Sequence, residues 1–340
     1  MELKKTLQKI FLEKEVFTEI KGQEKAKQQL KSALLMGRHV LIIGPPGVGK
    51  TTIAKNTAKL LPELTVNECP YHCEPDKPLC PICKTNKNIK TKKIKGEERF
   101  IRVQGSPDLT AEDLLGDIDP IKALKYGPTS IQAFTPGKIL RANNGVLFFD
   151  EVNRCPEKLQ NALLQVLEEG KATLGGYTVD LPANFIFIGT MNPEETAATE
   201  KLSDVFLDRF DTVYMTYPET TETENTIVKE SGQKLDVQFP DKLLKNTLNF
   251  IRQLRENKDL IKKPSVRASI GIYERAQANA YLEKEKKVKP KHIAQALISV
   301  LAHRIELKPS IKYLQTNEEY LKKQYENYVK DNPEMQGVYL

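Results

Sequence analysis

The segment Gly44-Pro45-Pro46-Gly47-Val48-Gly49-Lys50-Thr51 has the spacing G-x-x-x-x-G-K-[ST], followed by a second hydroxyl at Thr52. His39-Val40-Leu41-Ile42-Ile43 before it is a short apolar run of the kind that forms a buried parallel strand, and Thr51 to Leu61 after it reads as a helix. A strand, a glycine-rich turn and a helix in that order converge backbone N–H groups on a phosphate. Lys50 then neutralises phosphate charge and Thr51 offers its hydroxyl to magnesium, so the expectation is a nucleotide-binding α/β fold built on a parallel sheet. Gly44, Pro45, Pro46, Gly47, Val48 and Gly49 shape the loop.

One hundred residues beyond Lys50, the run Val146-Leu147-Phe148-Phe149 ends in Asp150-Glu151. Two adjacent carboxylates at the carboxyl end of so apolar a strand lie where open α/β sheets bind ligands. Asp150 is expected to orient magnesium or its waters, and Glu151 to polarise a water attacking the γ-phosphate, so the two motifs together favour an ATPase. Further strands are predicted at 100–103, 185–189 and 212–215, with a helix opening at Pro156 and ending at Gly170. A hairpin over 171–182 is signalled by Gly175-Gly176 between strand formers.

A chain of 340 residues holds about two domains. The 39% hydrophobic and 29% charged composition excludes collagen-like and wholly disordered chains. No apolar run is long enough for a membrane helix and no leader pattern opens the chain, so the expected compartment is the cytoplasm. The surplus of 52 basic over 45 acidic residues, +7, assigns no function alone. The reading is an α/β core over 1–239, with a Cys-rich insertion at 64–99 and hairpin insertions near 101–140 and 171–182. A helical lid over 240–304 follows, strands ceasing after about residue 240, and then a helical or partly ordered tail over 305–340.

The ordered set Gly145 to Arg154, then Gly189-Thr190-Met191-Asn192-Pro193-Glu194-Glu195, resembles the AAA+ ATPases of the magnesium-chelatase subunit I and MoxR group. Ile20-Lys21-Gly22-Gln23-Glu24 is similar to that family's adenine-side segment, which assigns Ile20, Gly22 and Gln23 to the nucleotide. Leu114 to Asp119 and Phe134 to Gly137 resemble its insert before the acidic strand. The resemblance implies Asn192 as sensor 1, Arg209 in Leu207-Asp208-Arg209-Phe210-Asp211 as an arginine finger, and Arg267 in Pro264-Ser265-Val266-Arg267-Ala268 as sensor 2. It also implies an AAA+ core with a C-terminal helical lid, a homo-oligomeric ring, commonly a hexamer, and a separate adaptor or client. Arg154 agrees with MoxR-type sequences, whereas Asp119, Ala123-Leu124-Lys125 and Met191 to Glu195 lean toward chelatase subunit I.

Four of five cysteines, Cys69, Cys73, Cys80 and Cys83, fall in one short proline-punctuated stretch. Tetrahedral structural zinc suits four thiolates, with His72 as a competing ligand; an iron–sulfur centre, free thiols and disulfides are the alternatives. Cys155 reads as a buried thiol. Lys84, Lys87, Lys90, Lys92, Lys93 and Lys95 follow the cluster, without the aromatic interleaving of a single-strand binder, so a solvated or partner-facing loop is favoured over nucleic acid. Tyr313, Tyr320, Tyr325, Tyr328 and Tyr339 mark the tail. The leading function is an ATP-driven remodelling or metal-insertion motor, against a nucleic-acid-associated AAA+ motor or a nucleotide-gated scaffold with slow turnover.

Overall fold

The computed structural model describes residues 2–13, 15–86, 88–128, 130–173, 180–193 and 202–335. They form two compact units, one of residues 1–44 with 49–215 and one of residues 45–48 with 216–340.

The first unit is built on five parallel strands, β1 (His39–Ile43), β2 (Phe100–Gln104), β3 (Val146–Asp150), β4 (Ile186–Met191) and β5 (Phe210–Tyr214), in the order β5-β1-β4-β3-β2. Val146, Leu147, Phe148 and Phe149 are wholly buried, as are Val40, Leu41 and Ile42, which is why these runs show no alternation of polar residues. The helices that matter for the site are α1 (Glu24–Leu35), α2 (Lys50–Lys59) and α3 (Glu157–Glu169). Helix α3 buries Leu159, Leu163 and Val166 and ends at Gly170 in the left-handed conformation, a C-terminal stop that only glycine adopts cheaply.

Three insertions leave this sheet. Strands Leu64–Asn67 and Thr91–Ile94 pair antiparallel and enclose the cysteine segment, with a short helix over Pro81–Thr85. Gly116–Ile118 pairs antiparallel with Phe134–Pro136, forming the neck of the insertion expected near 101–140. Lys171–Thr173 pairs antiparallel with Asp180–Pro182, and the tip of that hairpin, 174–179, lies outside the described residues.

The second unit contains α4 (Thr221–Ser231), α5 (Asp241–Glu256), α6 (Val266–Leu282), α7 (Pro290–Leu301) and α8 (Asn317–Asp331). One expectation fails here. Strands do not cease after residue 240, because Leu260–Lys262 pairs antiparallel with Glu306–Leu307, a ladder too short to carry a periodic signal. Helix α8 buries Tyr320, Leu321, Tyr325 and Tyr328 in the same core as Phe250, Ile251 and Leu254 of α5, with the Phe250 and Tyr325 rings edge to face at 5.4 Å. Tyr313 is exposed, and Tyr339 lies outside the described residues. Among the described residues no helix is long and apolar enough to cross a membrane.

A buried ion pair organises this unit. Glu224 of α4 accepts from Arg255 Nη1 at 2.7 Å and Nη2 at 2.6 Å, and from the Ser269 hydroxyl at 2.5 Å, while Arg255 Nε donates to the Pro264 carbonyl at 2.8 Å. The fork therefore fixes the turn that opens α6 at Pro264, three residues before Arg267. Replacing Arg255 with Met leaves the buried Glu224 carboxylate with only the Ser269 hydroxyl and the longer Arg252 contact at 3.5 Å, and is expected to cost about 3 kcal/mol, read by denaturant unfolding.

Burial lowers the pKa of His39 from 6.5 to about 4. The neutral ring accepts the Phe187 N–H at 3.2 Å. The folded chain then binds fewer protons than the unfolded one between these values, so stability is full above about pH 6.5 and falls by up to about 3 kcal/mol as pH drops toward 4. His39→Gln, which keeps an acceptor without titrating, should lose distinctly less stability than the parent between about pH 7.5 and about pH 4.5 in guanidinium titrations.

Candidate nucleotide site and cysteine centre

The glycine-rich loop leaves the carboxyl end of β1 under tight constraint. Met215 N donates to the Ile43 carbonyl at 2.8 Å, and Gly44 N donates to the Met191 carbonyl at 3.2 Å, so the loop's base is pinned to the ends of β5 and β4. A side chain at Gly44 would strike the Met215 carbonyl. Gly47 and Gly49 hold φ of +75° and +97°, the left-handed values that turn successive N–H groups inward. Lys50 opens α2, and its ammonium donates back to the Gly44 carbonyl, across the mouth of the loop.

At the end of β3 the two carboxylates are held by groups from the strands on either side. The Thr190 hydroxyl of β4 donates to Asp150 Oδ1 at 2.7 Å and accepts the Glu151 N–H at 2.9 Å, so one wholly buried hydroxyl sets both acidic residues. Arg102 of β2 donates to Asp150 Oδ2 at 2.6 Å and to Gln104 Oε1 at 3.0 Å. That contact leaves the Gln104 amide nitrogen facing Glu151 Oε2 at 3.1 Å, which Arg154 Nε also approaches at 3.3 Å. Glu151 is itself in the left-handed region, at φ 56°, and Gly105 lies so close that any side chain there would meet the Glu151 carbonyl. Arg102, Gln104 and Thr190 were not singled out as site residues from the sequence, because their contacts depend on strand order and register.

The remaining candidates divide by position. Asn192 is buried just beyond the end of β4, on the same edge as Asp150 and Lys50; Glu194 and Glu195, which carried part of the resemblance, lie outside the described residues. Ile20 is buried, and Gly22 and Gln23 both have positive φ as the chain enters α1; the loop they belong to is tied to α2 by Glu19 and Lys59 at 3.0 Å. Arg209 stands apart. It precedes Phe210, which pairs in register with His39, whereas the glycine-rich loop follows Ile43, paired with Tyr214. Arg209 and Lys50 thus mark opposite edges of the sheet, separated by a strand length of about 16 Å. Arg209 pairs with Glu168 of α3 at 2.5 Å, both side chains about half exposed.

In the second unit, a side chain at Gly47 would lie 3.1 Å from the Ser265 hydroxyl and 3.3 Å from Arg267 Cγ, so the loop's apex and Arg267 are neighbours there. Burial, and after it the charge of Arg267, lowers the pKa of Arg304.

Oxygen donors from Thr51 and Asp150 match the preference of a hard cation such as magnesium. The cysteine segment offers the opposite chemistry: the four sulfurs of Cys69, Cys73, Cys80 and Cys83, all buried, lie within 4.8 Å of one another, and His72 is not in the group. Hydrogen bonds with Cys73 and Cys80 hold the Cys69 thiol well below the usual range, hydrogen bonds with Cys69 and Cys73 push Cys80 up, and burial drives Cys83 up to about 11. Cys155 is buried elsewhere in the same core. Of the basic run, Lys92 and Lys93 stand on strand Thr91–Ile94 and Lys93 pairs with Glu63 at 3.1 Å; Lys87 lies outside the described residues.

Thr190→Val keeps the shape of the side chain and removes the hydroxyl that fixes both acidic residues. ATP turnover is expected to fall by about 10–100-fold while binding of a fluorescent nucleotide changes little. Unchanged turnover would remove Thr190 from the site.

Three family descriptions match successive stretches of the chain: "Magnesium chelatase, subunit ChlI" over residues 16–74, "ATPase family associated with various cellular activities (AAA)" over 80–212, and "AAA lid domain" over 263–323. The magnesium-chelatase subunit ChlI homolog of Methanocaldococcus jannaschii is 37% identical over 200 residues, covering 57% of this chain and 52% of that protein. The chloroplastic magnesium-chelatase subunit ChlI-2 of Arabidopsis thaliana is 35% identical, covering 56% of this chain and 46% of its own. The chain therefore spans about half the length of these two relatives. An uncharacterized Bacillus subtilis protein, YeaC, is 28% identical over 305 residues, covering 83% of this chain and 82% of its own. A solved assembly of subunits BchI and BchD of magnesium chelatase is 25% identical, covers 89% of this chain and 97% of that one, and has a TM-score of 0.47. With the strand order β5-β1-β4-β3-β2, the phosphate loop, the acidic strand end and the lid in sequence, the chain belongs to the AAA+ ATPases and is similar, among them, to magnesium-chelatase subunit I.

Proposed function

We propose that the chain hydrolyses ATP with magnesium at the interfaces of a homo-oligomeric ring, most simply a hexamer, and uses the change in subunit angle to remodel a separate adaptor or client protein. The observation that carries this reading is the placement of Arg209 on the sheet edge opposite Lys50, Asp150 and Glu151. An arginine so placed is a strand length from its own chain's γ-phosphate, and its half-exposed side chain, held by Glu168, would exchange that partner for a neighbour's phosphate.

In this reading the N–H groups of Gly47 to Thr51 surround the β- and γ-phosphates, Lys50 leaves the Gly44 carbonyl for phosphate oxygen, and Ile20, Gly22 and Gln23 line the adenine side. Thr52 extends the phosphate-facing turn of α2. Magnesium, held by Thr51 and Asp150, would supply charge neutralisation between the two phosphates. Glu151, aimed by Gln104 and Thr190, accepts a proton from the attacking water as its oxygen bonds to the γ-phosphorus and the bond to the β-phosphate oxygen breaks, releasing ADP. Asn192 orients that water. A neighbour's Arg209 stabilises the charge on the transferring group, and Arg267 links phosphate occupancy to the lid.

The relatives named as magnesium-chelatase subunits motivate a finer proposal, that the client belongs to a metal-inserting system. The same reading places the protein in the cytoplasm and puts structural zinc on Cys69, Cys73, Cys80 and Cys83, a compartment in which four thiols stay reduced.

Mixing tests the trans arrangement. Arg209→Ala and Lys50→Ala are each expected to lower turnover by roughly a thousandfold or more. Combined, they form interfaces that join an intact phosphate loop to an intact finger, and turnover should recover well above either variant alone. No recovery in mixed rings of confirmed composition would contradict a finger acting across subunits.

A further inference from the structure

The four-cysteine segment makes contacts that a free surface loop does not. The Tyr71 carbonyl, between Cys69 and Cys73, accepts from the Asn143 amide at 3.2 Å, and Glu74 accepts from the Asn144 amide at 3.3 Å. Asn143 and Asn144 form the turn that feeds β3. Asn143 Oδ1 also accepts Asn184 N at 3.2 Å, and Asn144 N donates to the Asn184 carbonyl at 2.7 Å, which ties in the approach to β4. Arg99, at the entry of β2, donates to the Asn144 carbonyl at 2.6 Å. One polar hub thus joins the cysteine segment to the entries of three neighbouring strands, and the opposite ends of β3 and β4 carry Asp150, Glu151 and Thr190.

The segment is shaped for a single tetrahedral ion. Sulfurs at 2.3 Å from one metal lie about 3.8 Å apart on a tetrahedron. The observed grouping, within 4.8 Å, is near that spacing, whereas a cubane's four irons spread their cysteines farther apart. Backbone N–H groups already point at the sulfurs: Cys73 N to Cys69 at 3.4 Å, Leu79 N and Cys80 N to Cys73 at 3.4 and 3.3 Å, and Cys83 N to Cys80 at 3.4 Å. These bonds favour sulfur as thiolate and fix its direction. The four cysteines also belong to the same buried apolar core as Phe134, Leu140 and Ala142.

We infer that a single zinc ion on Cys69, Cys73, Cys80 and Cys83 acts as a clamp that, through Tyr71, Glu74, Asn143 and Asn144, holds the entries of β3 and β4. This rests on the structural-zinc reading above and adds what the metal controls. The clamp stabilises the strands at the edge away from the phosphates; it has no part in the bond-breaking step.

Metal analysis and hydrogen exchange on the full chain separate the two claims. The purified protein should hold about one zinc per chain, and stripping it with a strong chelator should lower the melting temperature by several degrees and speed exchange of the Val146–Phe149 amides by roughly tenfold or more, reversed by adding zinc alone. Asn143→Ala, which leaves every sulfur in place, should keep its zinc but show a much smaller chelator effect on those amides. Less than about a tenth of a zinc per chain after zinc-replete expression, or iron in its place, overturns the zinc reading itself. Full zinc occupancy, with exchange of β3 unchanged on stripping or an undiminished chelator effect in Asn143→Ala, leaves the zinc reading standing and overturns the clamp. Cys80→Ser offers the parallel loss of metal without a chelator.

Discussion

A parallel sheet buried on both faces keeps its ionic chemistry at its edges. Burying charge along strands such as Val146–Phe149 would cost more than any contact returns, so the carboxylates appear where β3 ends. In register, β1, β4 and β3 then deliver a phosphate loop, a threonine with an asparagine, and an aspartate–glutamate pair to one line. The opposite edge receives Arg209 and the cysteine segment. Each group's place follows from which end of a strand its residue flanks.

At the site edge the polar groups are interlocked. Thr190 sets Asp150 and the Glu151 backbone, Arg102 bridges Asp150 to Gln104, and Gln104 in turn addresses the Glu151 side chain. The two carboxylates are therefore oriented by strands β2 and β4 on either side of their own. Such preorganisation is what lets a small set of side chains act at a transition state without first being rearranged.

The parts of this arrangement legible from the sequence were those written contiguously. The phosphate loop between apolar strand and helix, the acidic strand end, the four-cysteine spacing and the long lid helices are local patterns. Arg102 and Gln104 were illegible for a definite reason: they are alternate residues on β2, the edge strand, and their partners appear only once β2 pairs with β3 so that Gln104 stands opposite Asp150. The ladder between 260–262 and 306–307 is too short for periodicity and joins segments far apart in the chain. The tyrosines of α8 read as a polar tail until α5 supplies Phe250 and its neighbours as a surface to bury them. The unreadable features are long-range pairings, whose register no local window contains.

The central claim, that hydrolysis needs both magnesium and a second subunit, is tested most directly by the ATP turnover rate of the purified chain measured against its own concentration. Turnover per chain should be absent without magnesium, low when dilute, and rise steeply over the range in which the ring assembles. Turnover per chain that is constant from the monomer upward, or independent of magnesium, would contradict it.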